Sequence, residues 1–173
     1  MRVEKLSDIK KELRSLNTEA LTEICLRLAK YKKDNKELLS YLLYDADNPL
    51  NYAEEVKSTL LINFQNLNKS SYTSTKEVRK IVRLLAKHAK YTGSKEVETE
   101  LLLWFGTCFL EYADTRSSHK PLQTIFSRQI EKIRRILPKL HEDLQFDYGA
   151  AYNQLIEEAD NKVRFFNKND FRL

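Results

Sequence analysis

The side chains best suited to acid–base, metal or nucleophilic chemistry are three histidines, two cysteines and one dense run of carboxylates. The run is His141-Glu142-Asp143 with Asp147 and Tyr148. At helical spacing Asp143 and Asp147 share a face, as do His141 and Gln145. Paired carboxylates of this kind can exchange a proton or hold a divalent ion. The same residues follow Pro138 at the start of a helix, where acidic side chains complement the positive end of the helix dipole. That second role is the one expected. His141-Glu142 is followed by Asp143-Leu144-Gln145, so the His-Glu-x-x-His zinc motif is absent. Leu85, Arg116 and Pro138 stand three residues before the histidines, which removes the Glu-x-x-His pattern of di-metal bundles. His88 sits at the edge of an apolar stripe and is expected to be a partnered structural histidine; His119 is expected to be solvated in a loop. Gly93, Gly106 and Gly149 stand alone, so no glycine-rich phosphate loop exists. Cys25 and Cys108 lie in apolar helical patterns and are expected as buried free thiols in a reducing compartment. No enzymatic activity, cofactor, metal or small-molecule substrate is expected from these residues.

Cations give a sharper pattern. Projected at 100° per residue, Lys76, Arg79, Lys80, Arg83, Lys87 and Lys90 fall on one arc of a helix, opposite Val78, Ile81, Val82, Leu85 and Ala89. A second row, Arg128, Lys132, Arg135 and Lys139, lies opposite Phe126, Ile130, Ile133 and Leu137. The pairs 76/80, 79/83, 83/87, 128/132 and 135/139 place like charges four residues apart, which costs roughly 0.2–0.5 kcal/mol each in an isolated helix. Three things can offset that cost: solvation with ionic screening, acidic neighbours such as Glu96, Glu98 and Glu100, or an external anion. A nucleic acid would be held through its phosphates without sequence preference. Neither row contains an aromatic residue, so stacking platforms for single strands are not evident.

The elements that must position these rows are helices. Gly and Pro number three each in 173 residues, too few for the tight turns of an all-β chain. Hydrophobic residues are 42% and charged residues 32%, a globular composition with a heavily charged surface. About eight helices are expected. Ser7 opens the first. Asn17 or Thr18 caps a second through Leu21, Ile24, Cys25 and Leu28. A capping box of Asp34 and Glu37 starts a third through Leu38, Leu39, Leu42 and Leu43. Asn48-Pro49 starts a fourth. A polar loop from Asn66 leads to a second box, Ser74 with Glu77, and a fifth helix reaching Tyr91, closed by Gly93 in the left-handed conformation. Ser94 caps the sixth, apolar on most sides from Leu101 to Phe109 and therefore central. Pro121 starts the seventh, Pro138 ends or kinks it, and the last covers roughly residues 140–163 with a break near Gly149. Residues 164–173 either dock through their phenylalanines or fray. One all-helical domain over residues 1–173 is expected. The apolar run from Leu101 to Leu110 is too short to span a membrane, and no signal-peptide pattern opens the chain, so a cytoplasmic location is expected.

Residues 76–87 (Lys-Glu-Val-Arg-Lys-Ile-Val-Arg-Leu-Leu-Ala-Lys) align with 128–139 (Arg-Gln-Ile-Glu-Lys-Ile-Arg-Arg-Ile-Leu-Pro-Lys), with identity at 80/132, 81/133, 83/135, 85/137 and 87/139. Amphipathic helices with such degenerate echoes resemble HEAT- or armadillo-type repeat proteins. The resemblance implies a short right-handed stack of antiparallel helix pairs with an extended binding face, and no chemistry. The alternative architecture is an irregular helical bundle. Net charge is +5, with +7 over residues 1–95 (19 Lys+Arg, 12 Asp+Glu) and −2 over 96–173 (11 and 13). Two functions follow as expectations. One is a non-enzymatic interaction or scaffold protein that binds another protein or itself. The other is a nucleic-acid-binding module using the basic faces near 76–90 and 128–139, with Lys76, Lys80, Arg83, Lys87, Arg128, Lys132, Arg135 and Lys139 as contacts.

Overall fold

A computed structural model describes residues 3–173, and among them the chain is all-α with eight helices and no strand. The chain divides into two compact units, the first ending at Ala46 and the second spanning Asp47–Leu173.

The first unit holds α1 (Leu6–Ser15), α2 (Thr18–Tyr31) and α3 (Lys33–Tyr44). Asn17 caps α2, its side-chain oxygen accepting the Ala20 N–H at 2.8 Å. Helix α3 starts at Lys33, ahead of the expected Asp34–Glu37 box, and no side chain caps it through Lys32. Instead the Asn35 amide donates back to the Leu28 carbonyl at 2.9 Å, tying the α2 end to the α3 start. Helices α2 and α3 pack together. Three short helices have little interior to offer: Tyr41 is the one buried residue among those described, and Leu28, Leu42 and Leu43 stay more than half exposed. Cys25 is exposed for the same reason, contrary to the expected burial, whereas Cys108 in the second unit is buried as expected.

The second unit contains α4 (Pro49–Gln65), α5 (Ser71–Thr92), α6 (Lys95–Tyr112), α7 (Lys120–Ile136) and α8 (Glu142–Lys162). Helix α6 packs against α4, α5, α7 and α8. Leu101, Leu102, Leu103, Phe105 and Phe109 on it are all buried. One helix surrounded by four others is the plan of a bundle, and it explains why α6 is apolar on most sides, with an accessible polar strip through Glu100, Thr107 and Glu111. A Cβ built on Gly106 would lie 2.5 Å from a Leu155 methyl, so the missing side chain is what lets α8 approach. Phe64, Phe105, Phe109, Phe126 and Phe166 form a chain of ring contacts 4.8–6.0 Å apart through the core. Full burial of each such side chain is worth roughly 1.5–3 kcal/mol.

The local signals explain most helix ends. Asn48 caps α4 by accepting the Asn51 N–H at 3.1 Å, and Pro49 follows at the first helical position. Gly93 has φ +63° and Ser94 caps α6 through the Val97 N–H. Helix α7 ends at Ile136, and Pro138 sits in a 3-10 turn over Leu137–Lys139. Helix α8 runs unbroken through Gly149, so the expected break is absent. Helix α5 begins at Ser71, one turn before the expected Ser74–Glu77 box. The loop before it is stitched by its own side chains, with Asn68 accepting the Ser70 N–H and Glu77 accepting the Asn68 N–H, each at 2.8 Å. Ser74 is buried and bonded to the Ser71 carbonyl. The tail is docked rather than frayed. Phe166 and Phe171 stack at 4.7 Å, the Tyr152 hydroxyl donates to the Phe171 carbonyl at 2.7 Å, and Asp160 accepts the Lys168 N–H.

Candidate functional site

Buried stripes aim the cations outward. On α5, burial of Val78, Ile81, Leu85 and Ala89 turns Lys76, Arg79, Lys80 and Arg83 to solvent. On α7, burial of Leu122, Phe126, Ile130 and Ile133 does the same for Arg128 and Arg135. Because α5 and α7 pack side by side, their outward faces meet at one groove. Lys76, Arg79 and Arg83 line it from α5 and Arg128 from α7, with Val82, Ile125 and Gln129 as the remaining lining, around a volume of about 600 Å³. No carboxylate lines it. A second groove, of about 730 Å³, flanks α7 and shares Arg128. It adds Lys120, Lys132, Arg135 and Phe165, and its single carboxylate is Glu131.

The two rows are neutralised differently. Lys132 pairs with Glu98 at 2.5 Å, and Arg135 with Glu131 at 2.8 Å. Arg134 also bonds Glu131, and this bond leads in holding the Glu131 carboxyl below the usual glutamate range, against the opposing effect of its burial and with Arg135 helping. Of the acidic residues offered as internal neutralisers, Glu98 reaches a row cation, whereas Glu100 is engaged with Lys57. Lys76, Arg79, Arg83 and Arg128 make no ion pair with a carboxylate among the described residues. Lys76 instead lies over the ring of Tyr72, 4.4 Å from its centroid, a cation–π contact created by the extra first turn of α5.

The grooves do not gather every expected residue. Lys80 is exposed on α5 but outside both grooves, Lys87 lies near the Tyr91 ring, and Lys139 belongs to the 3-10 turn after α7. They do gather two residues the sequence reading missed as contacts, Lys120 and Phe165. Lys120 precedes a proline at a helix start and gave no row signal. Phe165 looked like one more docking phenylalanine beside Phe166.

The acid–base candidates converge on nothing comparable. His141 lies 3.4 Å from Asp143 at the exposed start of α8, and Glu142 and Asp143 occupy its first turn. Among the described residues no three His, Cys, Asp or Glu side chains gather as a metal site would require. His88 bonds the Tyr52 hydroxyl at 2.6 Å. Burial pushes the Cys108 thiol up to about 11, so it stays protonated at neutral pH. No helix among the described residues is long and apolar enough to cross a membrane. Compared with models of protein families, with curated proteins and with solved structures, the chain matches none.

Proposed function

We propose that this chain is a non-enzymatic binding module that holds nucleic acid by its phosphates in the α5–α7 groove. The observation that carries the reading is the convergence of Lys76, Arg79, Arg83 and Arg128 on one concavity without a lining carboxylate. Four unpaired cations in a groove repel one another, and a polyanion relieves that repulsion while releasing its own condensed counterions. Arginine supplies three of the four, and its fork of N–H donors matches phosphate oxygens in pairs. Binding of this kind is weakly sequence-dependent and falls steeply with salt. Anisotropy titrations of labelled DNA and RNA, single-stranded and duplex, over a salt series test it. The expected result is salt-dependent binding that Arg83→Glu with Arg128→Glu abolishes. Binding that ignores salt, or survives the double substitution, would contradict it.

A protein-interaction reading is supported by the first unit, where Cys25, Leu28, Leu38, Leu39 and Leu42 line an apolar groove of about 300 Å³ between α2 and α3. An apolar face of this kind can pair with its own copy about a two-fold axis. Sedimentation equilibrium of the full chain should then show a dimer that Leu28→Asp with Leu42→Asp dissociates. A wild-type monomer at high concentration excludes self-association through this face.

A further inference from the structure

We infer that the ligand of the cationic grooves is single-stranded nucleic acid, and that Phe165 is the platform on which one of its bases stacks. This rests on the nucleic-acid reading above and specifies its ligand class. Phe165 is 67% exposed, while its neighbour Phe166 is buried in the core and stacked on Phe171. The tail therefore buries one phenylalanine and presents the next. Phe165 is also the one non-glycine residue among those described with positive φ, at +66°. Bulky L-residues avoid that region, and such outliers persist where the surroundings hold them in place. Here the surroundings are specific. The Arg164 N–H donates to the Thr115 carbonyl at 2.9 Å and the Phe166 N–H to the Val163 carbonyl at 3.2 Å, clamping the backbone on both sides of Phe165. The Arg164 guanidinium lies 4.9 Å from the centroid of the Phe165 ring. An arginine against one face leaves the other for a planar ligand.

The ring lines the groove that carries Lys120 and Arg128, unpaired among the described residues, beside Arg135, which Glu131 engages. Phosphate-binding cations and an open aromatic face in one concavity are the two parts of a single-strand site: the cations track the backbone and the ring takes a base. A duplex satisfies only the first, because its bases are already stacked on one another and must be unstacked at a cost before one reaches the ring. The ring comes from the tail after α8 and the cations from α7, which is why neither row contains the aromatic residue itself.

The test uses the full chain with a labelled oligothymidylate of about twelve nucleotides and a blunt duplex of the same length, each titrated at several salt concentrations. Phe165→Ala should weaken single-strand binding about tenfold, change duplex binding less than about twofold, and leave the salt slope unaltered. Phe165→Gly, which relieves the positive φ, should melt no lower than wild type and show the same selective loss, separating a binding role from a folding role. Phe165→Trp should keep single-strand affinity and show fluorescence quenching on binding beyond any change from Trp104 in the wild type. Equal loss on single strand and duplex, no loss on either, or an unquenched tryptophan overturns the inference while leaving the groove as a phosphate site. Absence of salt-dependent binding by the wild type to either probe overturns the nucleic-acid reading and this inference with it.

Discussion

Helices α5 and α7 both present a row of cations, yet most of their members meet different surroundings. On α7, Lys132 and Arg135 are tied to Glu98 and Glu131. On α5, Lys76, Arg79 and Arg83 meet no carboxylate among the described residues. The cause lies in what stands beside each row. Helix α6 begins with Glu96, Glu98 and Glu100, and Glu98 reaches α7; Glu131 reaches Arg135 from one turn away on α7 itself. The face of α5 over Lys76, Arg79 and Arg83 has no such neighbour. Lys132 and Arg135 are neutralised from within, whereas the charges of Lys76, Arg79 and Arg83 are compensated by no carboxylate among the described residues. Arg128, on α7 but unpaired and facing both grooves, joins the second set.

The comparison breaks first, and with the largest effect, at α5. Arg79→Glu with Arg83→Glu should lower affinity for single-stranded DNA by about 30-fold or more near 0.1 M salt. The melting temperature should not fall, because two glutamates at these positions keep one like-charge pair but exchange repulsion for attraction with Lys76, Lys80 and Lys87. A matched loss of stability would show that these arginines serve the fold after all. A second effect, of opposite sign, is expected at α7. Glu131→Gln removes the one carboxylate of the grooves and frees Arg135, so affinity should rise about threefold and the salt slope steepen by about 0.7. Loss of affinity would place Glu131 among the groups that hold the ligand. The same carboxyl also sets a pH dependence. Its folded-state pKa is lowered, foremost by the Arg134 hydrogen bond, so its contribution to stability is present above the ordinary glutamate value of about 4.3 and is lost as pH falls through the lower folded value. Acid unfolding of Glu131→Gln should accordingly begin from a slightly less stable protein and show a shallower loss below pH 4. The smallest effects sharpen the contrast between paired and uncompensated cations. Lys132→Ala should cost a few tenths of a kcal/mol in denaturant unfolding, since the pair is 41% exposed on the lysine side and solvent weakens it. Lys80→Glu, on the α5 surface but outside the grooves, should change affinity about twofold or less through the general field alone.

Much of this was legible in the residues. The apolar stripes of α5 and α7 set which side chains face outward. The mostly apolar α6 announced its central place, and Asn48-Pro49, Gly93-Ser94 and Pro138 marked helix ends where they occur. Two kinds of information were not legible. Helix starts can depend on loop side chains, as where Asn68 and Glu77 bind across the loop and let α5 begin at Ser71, bringing Tyr72 under Lys76. Whether two rows share a groove depends on how α5 and α7 pack, and the carbonyls that hold Phe165 belong to Thr115 and Val163, the first of them 50 positions away in sequence. The Phe165-Phe166 pair reads as two core residues because composition cannot show which of two adjacent rings the backbone turns outward. The first unit shows the converse error. Its helical periodicity is sound, but periodicity predicts a face and not what covers it, so Cys25 and Leu28 read as core and stand exposed.

The central claim is that the cations left unpaired in the α5–α7 groove bind the phosphates of nucleic acid, and the salt dependence of wild-type binding to a single strand measures it most directly. With four such cations the logarithm of the binding constant should fall linearly with the logarithm of salt concentration, with a slope of about −2 to −3. A slope near zero, or no binding at low salt, would contradict the account.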